Sequence, residues 1–168
     1  MKKYNISAWI ILVVALAINA FIIVNACLNG TISSQESGRL STFLASIINV
    51  FSPNSINDGN FNEFAFMIRK MVGHFGLFAF DGIFSSLAFY LFLKDTKLKS
   101  PFYLIGFSLG LGFVVAAVSE LIQIFTPDRY GSWGDIGIDF GGYLLGFGLL
   151  FAVLIFANFI SFKKEQNT

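Results

Sequence analysis

Four stretches of this chain are each apolar for about twenty residues, and that feature limits its possible folds more than any other. They run from Ser7 to Leu28, Met71 to Leu93, Pro101 to Phe125 and Phe140 to Phe162. A hydrocarbon core about 30 Å thick is crossed by roughly 20 apolar residues of α-helix. The pattern predicts an all-α membrane protein of one domain, 1–168, with transmembrane helices at about 7–28, 71–93, 101–125 and 136–162. Composition points the same way: 55% of the residues are hydrophobic, 12% are charged and 22 are phenylalanine. A soluble domain of this size has no means of burying so much apolar surface.

The formal net charge is +1 and no basic run exceeds two residues, which excludes a nucleic-acid footprint. The lone cysteine, Cys27, excludes an internal disulfide and a cysteine-rich metal site.

Cytoplasmic loops carry an excess of lysine and arginine. One alternate set of segments holds Lys2, Lys3, Lys94, Lys97, Lys99, Lys163 and Lys164, and the other holds Arg39, Arg69, Lys70 and Arg129. Seven basic residues against four predict cytoplasmic termini, with segments 29–69 and 126–135 outside. The basic start and apolar run also resemble a signal segment, with a poor lipobox-like match at Val24-Asn25-Ala26-Cys27. The run is long for that purpose, so an uncleaved span is the expectation.

In the first outer segment, Asn29 to Glu36 reads as a polar loop, and Asn29-Gly30-Thr31 fits a short sequon. From Leu40 the apolar residues fall at 40, 43, 44, 47, 48 and 51, one face of a short helix lying along the interface. Turns are expected at 52–54 and 57–60. Asn60 with Glu63 then resembles a helix start, which would begin the second helix outside the bilayer. Glycines at 134, 137, 141, 142, 146 and 148 suit the fourth helix to close packing.

The polar residues near the membrane carry the functional question. Lys70, His74 and Asp81 share one face at 100° per residue, and Asp81 lies about 16 Å along the axis from Lys70. A charge that deep costs roughly 2.5 kcal/mol or more unless paired, hydrated or protonated. Glu120 and Gln123 share a face near the end of the third helix, and Asp135 and Asp139 share one near the start of the fourth. Each has a plainer role open to it. Lys70 could snorkel, Arg129 could sit in a solvated turn, and Asp81 could bond within the bundle. His74, the only histidine, could be a core residue bonded to a carboxylate. Ser132-Trp133-Gly134-Asp135 has the form of a capping box.

These residues resemble the VanZ-like family of small bacterial membrane proteins. The resemblance rests on Lys70-x-x-x-His74-Phe75, on Glu120-x-x-Gln123-x-Phe125-x-Pro127-x-Arg129-x-x-Ser132-x-x-Asp135, and on Asp139-x-x-Gly142-x-x-x-Gly146. Ser34-Gln35-Glu36-Ser37 is also similar to Gram-positive members. Asp139 departs from the family pattern, which usually has asparagine there. The resemblance implies a multi-pass protein of a bacterial plasma membrane, and the founding member is associated with low-level teicoplanin resistance.

The expected site is an outer-leaflet polar cluster of Lys70, His74, Glu120, Gln123, Arg129, Ser132 and Asp135, with Asp81 and Asp139 as further candidates. Its cations suit a membrane lipid headgroup, a lipid-linked cell-wall precursor or a lipoglycopeptide; arginine can donate two parallel bonds to a phosphate or carboxylate. Two alternatives stand beside this. In an intramembrane enzyme His74 or Glu120 would be the base, or Glu120, Asp135, Asp139 and His74 would ligate a divalent ion, although His-Glu-x-x-His spacing is absent. In a structural subunit the cluster would only join helices, at about 0.6 kcal/mol per interhelical bond. The sequence assigns no metal and no cofactor.

Overall fold

The computed structural model describes residues 6–166, with side chains through Ala157. Lys2 and Lys3, and the side chains of Lys163 and Lys164, which enter the orientation argument, lie outside the described residues. The described chain is all-helical, without strands: α1 (Ile6–Cys27), α2 (Gly30–Phe51), α3 (Phe61–Ile68), a π-helical segment (Arg69–Gly76), α4 (Leu77–Leu93), α5 (Pro101–Ile124) and α6 (Trp133–Gln166). Because α3, the π segment and α4 run on without a break, these make five helices. Four of them are long and apolar enough to cross a membrane: Ile6–Cys27, Phe61–Leu93, Pro101–Ile124 and Trp133–Ala157.

One expectation is corrected at the first connection, where residues 30–36 belong to α2 instead of forming a loop. Asn29 is the N-cap, its side-chain oxygen accepting from the Ile32 amide at 2.9 Å. The serines that suggest a loop are satisfied inside the helix. Ser37 Oγ donates to the Ser33 carbonyl at 2.9 Å, and Ser41 Oγ to the Ser37 carbonyl at 2.7 Å. Ala45 of α2 then packs with Phe64 and Ile68.

The end of α1 is tied to the α5–α6 turn. The last carbonyls of a helix have no partner within it, and here the turn supplies donors. Thr126 Oγ1 donates to the Ala26 carbonyl at 3.1 Å, and Arg129 donates from Nε to Leu28 and from a terminal nitrogen to Asn25, both at 3.1 Å. Arg129→Met is therefore expected to lower bundle stability by about 1.5–3 kcal/mol, the range for a hydrogen bond to a charged group. Thermal unfolding in detergent checks this, and an unchanged midpoint would show that the turn docks without the guanidinium.

The α4 and α6 helices run parallel and in close contact. Gly142 and Gly146 face the carbonyl oxygens of Phe75 and Ala79, and a Cβ at either glycine would collide with that oxygen. This is the use of small residues between helices in lipid, where apolar side chains gain little by leaving the lipid tails. Tyr143, fully buried, packs in the same core with Phe78, Ala116, Val115 and Ile22.

Candidate functional site

The site begins with the π segment, RKMVGHFG. Its wider turn is seen at its end, where the Leu77 amide reaches back to the Val72 carbonyl, five residues earlier. Single π turns inside α-helices recur at functional sites. This one carries Lys70 and His74 across from α6. Lys70 Nζ pairs with Asp135, and His74 Nδ1 lies 3.0 Å from Asp139 Oδ1. Both pairs are 65 residues apart in sequence, so two parallel helices meet in one register.

The third wall is the end of α5. Glu120 is 2% exposed. One carboxylate oxygen accepts from Gln123 Nε2 and the other from the Ser132 backbone amide, both at 2.9 Å. His74 Nδ1 is 4.0 Å from Glu120 Oε1. Gln123 and Glu120 thus hold each other three residues apart on one face, as their spacing implies.

The capping box expected at Ser132 and Asp135 does not form. Ser132 Oγ accepts from the Gly134 amide at 3.1 Å, and the Asp135 carboxylate turns to Lys70. The amide that the box would satisfy from within α6 is taken by Glu120 from α5. A charged acceptor from another helix occupies the position, leaving Asp135 for the ion pair.

Asp81 stands apart from this group. It is fully buried and accepts from Asn19 Nδ2 of α1 at 2.7 Å and from Ser85 Oγ at 2.6 Å. The common face drawn at 100° per residue does not carry through the π segment, whose turns hold more residues. Asn19, a polar residue in the first span, is the sequence signal for this second cluster.

Arg129 points to the α1 carbonyls, and among the described residues it pairs with no carboxylate. Burial, joined by the nearby positive charge of Arg69, pushes its guanidinium below the ordinary arginine value, with Glu120 opposing. Arg69 lies 6.0 Å from the Phe66 ring centre and also lacks an ion pair among the described residues. In the sequence it registers only as one charge in the orientation count.

A cavity of about 360 Å³ opens between α1, α2, the π segment and α5. Arg69, Arg129, His74, Gln123, Asp139 and Glu36, with Asn25 and three serines, form its polar lining, and Phe21, Ile22, Leu40, Val72, Leu77 and Phe78 are among its apolar walls. Lys70, Glu120, Ser132 and Asp135 are not among its lining residues; Glu120 touches the lining residues Gln123 and His74, while Lys70 pairs with Asp135 and Ser132 bonds to Glu120 behind them. The cavity can thus receive a molecule with an anionic end and an apolar body.

A model of the VanZ/LLP1 family matches residues 9–157, a range that contains every residue of this site. No curated protein and no solved structure matches the chain.

Proposed function

Because the chain belongs to the VanZ/LLP1 family, we propose that this multi-pass membrane protein binds the anionic headgroup of an amphiphile in the cavity beside the π segment. One observation carries the reading. Arg69 and Arg129 lie close enough to repel each other, neither paired to a carboxylate among the described residues, and both line a cavity whose remaining walls are largely apolar. Two like charges held together beside an apolar groove suit a phosphate or carboxylate between them and an acyl or prenyl chain along Phe21, Ile22 and Leu77.

The excess of basic residues in the alternate segments supports an outer-face position for this cavity, and the family supports a bacterial plasma membrane. Its ligand there is a lipid-linked envelope precursor or a lipoglycopeptide, and teicoplanin tolerance would follow from holding either one. An intramembrane enzyme acting on the same class of lipid is the second reading, favoured by the position of His74 between two buried carboxylates.

Arg69→Ala is the cleaner test, since Arg129 also holds α1. In nanodiscs it is expected to weaken binding of a polyprenyl phosphate by at least about tenfold, or 1.4 kcal/mol. In cells it is expected to raise teicoplanin susceptibility at unchanged surface expression. Equal lipid affinity in wild type, Arg69→Ala and Arg129→Ala would sink the binding reading, and turnover of the polyprenyl probe would replace it with the enzyme.

A further inference from the structure

We propose that His74, Glu120 and Asp139 form a binding site for one divalent transition-metal ion. The ligand atoms come from the π segment, α5 and α6, and all lie within 4.8 Å of one another. His74 Nδ1 is 3.0 Å from Asp139 Oδ1 and 4.0 Å from Glu120 Oε1. Donors bound tetrahedrally to zinc at about 2.0–2.2 Å stand roughly 3.3 to 3.6 Å from one another. Shifts of about an ångström bring the triad around one ion.

Charge points the same way. Asp135 is neutralised by Lys70, and the Arg129 guanidinium is directed at α1 carbonyls. Glu120 and Asp139, at 2% and 1% exposure, remain with only a histidine between them. Two buried carboxylates with no fixed cation require protons or a positive ion. A divalent ion with neutral His74 brings the three ligands to zero net charge.

The surroundings also suit a ligand set. Gln123 Nε2 and the Ser132 amide each hold one Glu120 oxygen, orienting the carboxylate while lone pairs remain for a metal. One imidazole and two carboxylates suit zinc or manganese. His74 and Asp139 line the cavity, so a coordination position left open there would take a phosphate oxygen. That last step alone rests on the headgroup reading above.

The test uses the full chain in nanodiscs, stripped with chelator and dialysed against zinc or manganese, with bound metal counted by mass spectrometry. Wild type is expected to hold metal stoichiometrically, and Asp139→Asn and Glu120→Gln to lose at least about tenfold in affinity. Asp58→Asn, at an exposed turn, should bind as wild type does. Asp139→Asn is close to isosteric, and its monodispersity and helical signal verify folding. Zinc should also raise the thermal midpoint of wild type and leave that of Asp139→Asn unmoved. Absence of stoichiometric metal in wild type, or equal affinity in Asp139→Asn, overturns the site. Polyprenyl phosphate binding that persists in chelator without metal uptake would reject the ion and keep the headgroup site. Metal uptake with Arg69-independent lipid binding would do the reverse.

Discussion

Alanine at Gly146 should destabilise the bundle by about 2–3 kcal/mol, against a helix-propensity gain of about 1 kcal/mol that acts in the opposite direction. The added Cβ meets the Ala79 carbonyl oxygen. That neighbour is backbone, so it has no rotamer by which to withdraw, and α4 and α6 must move apart along their whole contact. Overpacking ordinarily costs about 1–3 kcal/mol, and a rigid obstacle puts this case toward the top of that range. Gly148, on the same helix, has nothing within 4 Å of a built Cβ. There alanine brings only the propensity gain, and the sign of the effect reverses. Thermal unfolding of both variants in one detergent gives the comparison. Equal midpoints for the two would mean that α4 and α6 do not rely on close approach at Gly146.

The second large effect concerns Lys70 and Asp135, whose side chains are 20% and 12% exposed. Lys70→Met leaves the aspartate in a mostly dehydrated position without its cation. Breaking such a pair costs about 3–5 kcal/mol when fully buried, and the residual exposure puts the expected loss near 3 kcal/mol or a little below. In the double variant Lys70→Met/Asp135→Leu no orphan charge remains, and most of the loss should be recovered. A double-mutant cycle read by chemical denaturation separates the coupling from the single effects. If Lys70→Met were as stable as wild type, the lysine would be reaching the headgroup region and the ion pair would contribute nothing.

How far the chain could be read in advance differs from element to element. Span length and apolarity are local properties, so 7–28 and 101–125 fall within a residue of Ile6–Cys27 and Pro101–Ile124 at each end. The second and fourth helices begin at Phe61 and Trp133, next to the start signals at Asn60 and Ser132 and ahead of the apolar stretches themselves. The first turn of the fourth carries Asp135, whose partner Lys70 comes from another helix. Helical spacing alone is enough to place Glu120 with Gln123 and Asp135 with Asp139.

The choice of partner was not legible. Nothing local to Ser132 says that its amide will bond to Glu120 instead of Asp135, because that acceptor is twelve residues away on another helix. Arg129 likewise reads as a donor for a ligand or a turn, while the unsatisfied end of α1 is more than a hundred residues distant in sequence. The serines of α2 mislead for the opposite reason: their hydroxyls bond inside their own helix, so polarity there does not signal a loop.

The π segment has a consequence for how this helix can vary. Lys70 and His74 meet α6 upstream of Gly76, and Ala79 and Gly82 meet it downstream. The segment between them sets the angular phase of one group against the other. Deleting one residue as the segment rewinds would leave the two groups in phase, whereas winding Arg69–Gly76 as ordinary α-helix with every residue kept would turn everything beyond it by about 100°. The glycine contacts or the ionic contacts could then be kept in alignment, but not both. The extra residue acts as a gear tooth: it lets the polar mouth and the packed shaft of one helix address the same neighbour at two different angles.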